Sequence, residues 1–312
     1  MSPTVQTFDL GSGVKIPWLA WGNGTGSAAQ IPVEAGLAAL KAGIRHIDTA
    51  QSYRNEGAAG EALVKSGISK DQVFVTSKLS EGPGNSTIPF NQVRPKIQES
   101  IQKLGFIPDL FLIHNPFIVA PADLKKTWQI LEEMKDAGEL KAIGVSNFRP
   151  QDLELILDGG KYKPAVNQIE YHPYLLAHLE PVLALQDKHG IVTESFGPLT
   201  PLLRHPTGGP LKPVLTKIAK RIFDANPNLP IPIDEFAVLL LWTRAMGVVA
   251  VTGSGDKERI KLLADISFLP GNLLTKADVE EITSIGKTVH FRHYRGHMEN
   301  DFALPILPDG TN

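Results

Sequence analysis

Short apolar segments alternate eight times with longer helical segments along this chain of 312 residues. The apolar segments are residues 18–21, 45–48, 73–77, 109–114, 141–146, 165–169, 191–195 and 248–252. The helical segments that follow them are residues 32–41, 56–65, 91–104, 122–137, 150–157, 179–189, 213–225 with 233–244, and 257–263. Nearly continuous apolar strands are typical of parallel sheets that are covered on both faces. The pattern therefore predicts an α/β fold, a (β/α)8 TIM barrel formed by one domain over residues 1–312.

A doubly wound sheet is the alternative that the same alternation allows. That fold binds dinucleotides through a glycine-rich fingerprint between a strand and a helix. The segment Gly22-Asn23-Gly24-Thr25-Gly26 resembles the fingerprint only superficially. The absence of a true fingerprint favours the barrel.

Segments outside the eight units predict how the barrel is closed and covered. Residues 7–10 and 14–17 flank a Gly-Ser-Gly turn, which predicts a β-hairpin that closes the bottom of the barrel. Residues 81–89 and 197–213 are rich in Pro and Gly and follow strand ends, which predicts irregular loops at the mouth. The tail after residue 287 could fold back over the mouth or extend away from it.

Composition excludes several classes of partner. The formal net charge of -2 provides no basic surface that would recruit nucleic acid or an anionic membrane. No apolar run reaches the ~18 residues of a membrane span, and residues 1–6 lack the pattern of a signal peptide. The chain has 0 cysteines, so it has neither a disulfide nor a thiolate metal site. We therefore expect a cytoplasmic protein.

Four polar residues follow successive predicted strands, and their chemistry is complementary. Asp48 ends one strand with Tyr53 just beyond it, Lys78 follows the next strand, and His114 ends the one after. A free phenol titrates near pH ~10, so a neighbouring Lys78 would lower the pKa of Tyr53, while Asp48 would keep Lys78 charged. His114 would orient a substrate carbonyl, and Tyr53 would protonate its oxygen as hydride reaches its carbon.

Neutral polar groups at the next strand ends suit a nicotinamide ring. Ser146, Asn147 and Gln168 offer donors and acceptors for a carboxamide, and Phe196 offers a flat face for stacking. Each candidate also has an ordinary structural interpretation: Asp48 as a helix cap, Lys78 as a solvated charge, His114 and Phe196 as core residues. The functional hypothesis depends on their occurrence at successive strand ends.

A metal site is not predicted. His293 and His297 form an i, i+4 pair, but they lie in a predicted loop rather than on a helix. His172 and His178 have no neighbours that suggest ligation.

The sequence resembles the aldo-keto reductase superfamily over essentially its whole length. Residues 43–50, with Glu56 and Gly60 after them, are similar to the first signature of the family, and residues 143–148 are similar to its strand-five motif. The resemblance implies a metal-free reductase of aldehydes and ketones that prefers NADPH and is usually a monomer. The catalytic tetrad that it implies is Asp48, Tyr53, Lys78 and His114, with Tyr53 as the proton donor.

The same resemblance implies the cofactor contacts. They are Ser146, Asn147, Gln168, Phe196, Leu199, Ser254 and Arg259. The chain departs from the family where Gly253 replaces the lysine that binds the 2′-phosphate, with Lys257 as a potential substitute. Phe196 replaces a stacking tyrosine, and Leu262 and Leu263 replace the polar contacts to adenine. NADPH remains the expected cofactor because an Arg–phosphate contact is strong, and NADH use stays open.

Substrate contacts are expected from Trp21, Asn115 and Phe117, with Tyr294 reaching over from the tail. Asn115-Pro116-Phe117 resembles the fungal and yeast branch, which reduces α-keto amides, ketopantoyl lactone and conjugated polyketones. Two other functions stay open on the same scaffold. One is an NADH-linked alcohol dehydrogenase, and the other is a regulatory protein that binds the cofactor without turnover.

Overall fold

The barrel consists of eight parallel strands that pair with their neighbours in chain order. This computed structural model describes residues 5–11, 13–82 and 86–311. The barrel strands are β3 (Leu19–Gly22), β4 (His46–Asp48), β5 (Phe74–Leu79), β6 (Leu110–Ile113), β7 (Ala142–Ser146), β8 (Val166–Glu170), β9 (Val192–Phe196) and β10 (Val249–Thr252). Pairing of β10 with β3 closes the sheet, so the predicted TIM barrel is confirmed.

Helices surround the barrel and follow its strands. They are α1 (Gly26–Gln30), α2 (Pro32–Ala42), α3 (Glu56–Ser66), α4 (Val93–Leu104), α5 (Leu124–Asp136), α6 (Pro150–Leu157), α7 (Leu176–His189), α8 (Thr200–Leu203), α9 (Leu211–Ala225), α10 (Glu235–Ala245), α11 (Lys257–Ser267) and α12 (Lys276–Gly286). The sequence pattern missed α1, α8 and α12. Within the described ranges, no helix combines the length and the apolar character that a membrane crossing requires.

The predicted hairpin fills the bottom of the barrel. Strand β1 (Thr7–Asp9) pairs antiparallel with β2 (Lys15–Pro17). Ile16 is fully buried and, with Leu10, forms one cluster with the first residues of the barrel strands, such as Phe74 and Leu110. Ser12 of the predicted turn lies outside the described residues.

Register in the barrel directs polar side chains inward near the strand ends. Gln168 pairs with Glu194, and Glu170 pairs with Phe196 two residues further along. Because side chains alternate between the two faces of a strand, these four residues face the barrel interior together.

The loops and the tail complete the mouth. The loop predicted over residues 197–213 contains α8 and the start of α9, because Thr200-Pro201 begins a short helical turn. Residues 83–85 of the other predicted loop lie outside the described residues. Beyond α12 the tail folds back over the mouth, where Tyr294, Arg295 and His297 line the central cavity.

Candidate active site

A cavity of about 570 Å³ opens at the carboxyl ends of the barrel strands. The strand ends contribute Asp48, Tyr53, His114, Asn147, Gln168 and Phe196 to its lining. The loops contribute Leu199, Arg204 and Gly253, and the tail contributes Tyr294, Arg295 and His297. This end of a barrel is where enzymes of this fold carry out their chemistry.

A buried ion pair lies at the base of the cavity. The Lys78 Nζ donates to Asp48 Oδ1 at 2.6 Å and to the backbone carbonyl of Thr49 at 3.0 Å. It also donates to the hydroxyl of Tyr53 at 3.4 Å. Lys78 is 0% exposed, so its charge acts on Tyr53 through protein rather than water.

The pKa of Lys78 agrees with the expectation, whereas the pKa of Tyr53 does not. Burial alone would lower the pKa of Lys78, but the charges of Asp48 and Tyr53 outweigh it and raise the pKa above its usual value. Burial raises the pKa of Tyr53, and the opposing effect of Lys78 is smaller. The expected net lowering of the Tyr53 pKa is therefore wrong for the cavity as it stands. Tyr53 is held as a protonated phenol with a cation beside its oxygen.

His114 lies beside Tyr53 in a neutral form. The two rings meet edge to face, with centroids 5.7 Å apart and planes at 79°. Burial, with a smaller contribution from Lys78, places the pKa of His114 well below its usual value. Its Nδ1 lies 2.7 Å from the hydroxyl of Ser80 and 3.3 Å from that of Ser52. Two hydroxyls that can donate to Nδ1 favour the tautomer with its hydrogen on Nε2.

The three residues expected at a carboxamide lie together at the ends of β7 and β8. Ser146 Oγ donates to the backbone carbonyl of Gln168 at 2.7 Å. Asn147 Nδ2 donates to the carbonyl of His114 at 3.0 Å, and its φ of 59° aims the side chain at the cavity. Gln168 Nε2 donates to Asp48 Oδ2 at 2.8 Å. Within the described ranges, the side-chain oxygens of Asn147 and Gln168 have no donor, so both can accept from a carboxamide NH2.

Phe196 and Leu199 also line the cavity. The ring of Phe196 meets Tyr294 edge to face, with centroids 5.3 Å apart and planes at 81°. Tyr294 therefore covers at most one face of Phe196 and leaves the other for a flat ring. Together with the two free amide oxygens, this face fits a nicotinamide.

The expected phosphate-binding residues lie at the end of β10 and the start of α11. Arg259 and Lys257 are exposed in the first turn of α11, and neither has a carboxylate within ion-pair distance in the described ranges. Ser254 is largely buried, and its Oγ accepts from the backbone N–H of Asp256 at 3.0 Å. A Cβ at Gly253 would lie 2.2 Å from the carbonyl oxygen of Gly22, so this backbone cannot carry a lysine without moving. Two cations at a helix N-terminus fit a phosphate.

The structure does not bring Trp21 into the cavity. Its indole is fully buried on the outer side of β3 against Gly36 of α2, and its Nε1 donates to the carbonyl of Ser254 at 3.0 Å. A substrate contact from Trp21 is therefore wrong for this arrangement. Both faces of an apolar barrel strand are buried, so the pattern alone did not show which face Trp21 occupies.

Asn115 and Phe117 lie beside the cavity rather than in its lining. The amide of Asn115 is used internally, since it donates to Glu81 and accepts from the backbone N–H of Phe117. Phe117 is 36% exposed and stacks on His297 at 5.9 Å. Phe117 can therefore shape the rim, whereas Asn115 braces the loop.

Several lining residues were missed from the sequence. Gly24 approaches the phenol so closely that a Cβ there would lie 2.7 Å from Tyr53 Cζ. Arg204 and Arg295 are exposed cations at the rim, and no carboxylate of the described ranges forms an ion pair with either. Ser80, which contacts His114, had a sequence signal, because it lies two residues beyond Lys78 and directly after β5. The part of the chain that the structure describes contains no group of three His, Cys, Asp or Glu side chains placed to hold a metal ion.

Comparison with known proteins places this site in a family. The sequence pattern of the Aldo/keto reductase family matches residues 20–210. The NAD/NADP-dependent indole-3-acetaldehyde reductase of Schizosaccharomyces pombe is 32% identical over 297 residues, which cover 92% of this chain and 98% of that protein. The NADPH-dependent alpha-keto amide reductase of Saccharomyces cerevisiae is 32% identical, with 92% of each chain covered.

A solved structure agrees with the sequence relatives. The Bombyx mori aldo-keto reductase in complex with NADP superposes with a TM-score of 0.77 and 27% identity, covering 99% of each chain. Relatives of comparable identity also occur in bacteria and mammals. This chain belongs to the aldo/keto reductase family. It is thus an NAD(P)H-dependent oxidoreductase built on a TIM barrel.

Proposed function

We propose that this protein is an NADPH-dependent carbonyl reductase in which Tyr53 is the proton donor. The observation that supports it most strongly is the contact of the Tyr53 hydroxyl with Lys78 Nζ at 3.4 Å, next to the ring of His114 in one cavity. An acid, a cation and a neutral donor together can protonate a carbonyl oxygen and stabilise the charge that develops on it during hydride addition to the carbon.

The residues divide the work at the carbonyl oxygen. Bound NADPH supplies the hydride that adds to the carbonyl carbon. His114 donates from Nε2 to the oxygen and fixes its direction, while Tyr53 transfers its proton as negative charge develops there. Lys78 stabilises the phenolate that remains, and Asp48 keeps Lys78 charged and in place. One hydride and one proton convert the carbonyl to an alcohol.

The raised pKa of Tyr53 suits a reductase. Burial keeps the phenol protonated until an oxygen with alkoxide character accepts the proton. If the phenol of Tyr53 were already ionised at neutral pH, it would have no proton to give. Lys78 then lowers the cost of the charge at the moment of transfer, when it is needed.

The cofactor contacts that we propose divide into two groups. Ser146, Asn147 and Gln168 would hold the carboxamide, and Phe196, beside Leu199, would stack on the ring. Arg204 at the rim and Arg259 on α11 would bind the phosphates, with Ser254 supporting the turn between β10 and α11. Because Gly253 leaves no room for a lysine, we expect the preference for NADPH over NADH to depend mainly on Arg259, with help from Lys257.

For the substrate we propose small activated carbonyl compounds, of the α-keto amide and keto-lactone type. The support is the resemblance to a yeast relative that is named for α-keto amide reduction. Phe117 and the tail would form the rim. We also propose that the protein acts as a monomeric single domain in the cytoplasm, which sedimentation and cell fractionation would check.

Turnover by the Tyr53→Phe variant tests the proton donor. NADPH oxidation is followed at 340 nm with a panel of aldehydes, α-keto amides and keto-lactones. We expect Tyr53→Phe to lose about 10²–10⁴-fold in kcat, while NADPH binding, measured by quenching of protein fluorescence, stays unchanged. Tyr162→Phe is the matched control, because that surface hydroxyl donates to Asp136 far from the cavity.

Two outcomes would contradict the proposal in different ways. Full activity of Tyr53→Phe would remove Tyr53 from the role of acid. Tight binding of NADPH by the unmodified protein without turnover of any carbonyl compound would favour a regulatory protein on the same scaffold.

A further inference from the structure

One wall of the cavity comes from the tail rather than from the barrel. Tyr294, Arg295 and His297 line the cavity, although they lie beyond the last helix of the fold. The tail has no regular secondary structure to hold this shape, so its position depends on what it contacts. A loose tail would open the cavity to water.

A single buried carboxylate makes the central contacts with the tail. Glu170, at the end of β8, is 0% exposed. Its Oε1 accepts from the backbone N–H of His293 at 3.0 Å, and its Oε2 accepts from the backbone N–H of Tyr294 at 3.0 Å. The Arg292 Nη1 also donates to Oε2, at 3.5 Å. Three consecutive tail residues therefore bind the two oxygens of one side chain.

The surroundings of this carboxylate hold it ionised. Burial alone would raise the pKa of Glu170, but contacts with His172, Arg292 and the N–H of Tyr294 outweigh it and lower the pKa. His172 Nε2 lies 3.3 Å from Oε1, and burial keeps the pKa of His172 below its usual value, so the ring donates as a neutral group. The charged groups between β8 and the tail are thus Glu170 and Arg292. The other terminal nitrogen of Arg292, Nη2, donates to Nδ1 of His178.

We propose that Glu170 is a positioning residue that fixes residues 294–297 as a wall of the cavity and so determines the affinity for the carbonyl substrate. The kinetic part of this inference rests on the proposed function. Glu170 does not touch the tetrad. It acts through the backbone of His293 and Tyr294, which places the phenol ring of Tyr294 against Phe196.

The location of Glu170 separates this role from cofactor binding. Gln168 lies two residues earlier on β8 and is held by Asp48, independently of the tail. Loss of the Glu170 contacts should therefore release the tail while the contacts proposed for the carboxamide, including Gln168, remain. This predicts an effect on KM for the carbonyl compound rather than on kcat or on the affinity for NADPH.

The test compares Glu170→Gln with Glu132→Gln. Glu132 is the matched control, since it is a buried glutamate on α5 that accepts from the backbone N–H of Tyr162 at 2.8 Å, away from the cavity. With 4-nitrobenzaldehyde and NADPH, Glu170→Gln should raise KM about tenfold or more, because a charged hydrogen bond is lost at each of several contacts. The kcat and the Kd for NADPH should stay close to those of the unmodified protein.

Limited trypsin digestion gives a readout that does not depend on turnover. Release of the tail should expose the buried Arg292 and loosen the backbone around Arg295, which is already exposed. Glu170→Gln should therefore be cut after both arginines faster than Glu132→Gln, as mass spectrometry of the products would show. Arg292→Gln changes only the tail side of the contact and leaves β8 intact. It should raise KM as Glu170→Gln does and should speed cleavage after Arg295, the trypsin site of the pair that this variant keeps. Agreement between the two variants guards against a folding defect of the strand variant.

Three results would overturn the proposal. They are equal KM and equal cleavage for the two glutamate variants, a loss of NADPH affinity as large as the loss of substrate affinity, and an Arg292→Gln variant that behaves like the unmodified protein. An unmodified protein that binds NADPH but reduces no carbonyl compound would contradict the proposed function instead. The trypsin comparison would still decide whether Glu170 docks the tail.

Discussion

The two ends of the barrel are filled in opposite ways. At the amino end, the hairpin inserts Leu10 and Ile16 among apolar residues that begin the strands, including Phe74 and Leu110. At the carboxyl end, the same strands finish in buried charged and polar groups, such as the ion pair of Lys78. One end therefore resembles an ordinary core, and the other buries groups that water would otherwise solvate.

This difference shows where the fold is free to carry chemistry. An apolar plug stabilises the barrel in proportion to the surface that it buries. Burial of charges opposes folding unless they are paired, so the polar end is stable only because its groups bind one another. Substitutions at the two ends should therefore have separable consequences.

The largest effect is expected from Lys78→Met. Loss of the cation beside Tyr53 should lower kcat by about 10²–10⁴-fold, because the phenolate is no longer stabilised. The control is Lys70→Met, which removes another lysine–aspartate pair, with Asp109 at 2.5 Å, at the amino end. Steady-state kinetics on both variants would check this, and comparable losses of kcat would contradict the division between the ends.

Ile16→Ala tests how much the apolar hairpin residues at the amino end stabilise the barrel. Removal of a fully buried side chain that packs among the starts of the strands should cost about 2–5 kcal/mol of unfolding free energy. Activity at low temperature should be unchanged, because Ile16 lies at the opposite end from the cavity. Urea unfolding measures the loss, and a reduced kcat in the folded variant would show that the two ends are coupled.

The sequence predicted the barrel because the alternation of an apolar strand with a helix is repeated eight times along the chain. It predicted for the same reason that Asp48, Tyr53, Lys78 and His114 would lie together, since strand ends in a barrel meet at one face. The short helices α1 and α8 were missed because four or five residues carry no full periodic pattern.

What the sequence could not show depends on contacts between distant residues. Glu170 was visible at the end of a strand, but its partners lie 122 to 124 residues further along the chain. The net direction of the Tyr53 pKa shift was also beyond reach, because it depends on how deeply the cavity buries the phenol.

A smaller effect is expected on cofactor affinity, where Arg259 and Arg204 at the polar end should differ. Arg259→Gln should weaken NADPH about tenfold with little change for NADH, because only NADPH carries the 2′-phosphate. Arg204→Gln should weaken both cofactors alike if it faces a phosphate that they share. Fluorescence titration with each cofactor distinguishes the two. Equal behaviour of the variants would contradict separate phosphate sites.

The smallest effect concerns Glu194, a buried carboxyl group on β9. Burial, with Asp48 adding to it, raises the pKa of Glu194 to about 8. The unfolded chain ionises this group near pH ~4.3, so as the pH rises towards 8 the folded state loses stability relative to the unfolded state. Glu194→Gln removes this dependence.

Thermal unfolding at several pH values would show the difference. The melting temperature of Glu194→Gln relative to the unmodified protein should increase between pH 5 and 8, by roughly 2 °C or more. A difference that stays constant with pH would mean that Glu194 ionises normally in the fold.

The close approach of Gly24 to Tyr53 has a consequence for how the active site responds to salt concentration. The ring is confined by backbone atoms, since even one added carbon at Gly24 would lie 2.7 Å from Cζ. Contacts of this kind are short-range repulsions, which dissolved ions do not screen, whereas exposed charge pairs weaken once the Debye length falls to about 3 Å in 1 M salt. Tyr53, the proposed proton donor, should therefore keep its place in concentrated salt. Salt should weaken the proposed phosphate contacts at the rim before it affects the chemical step.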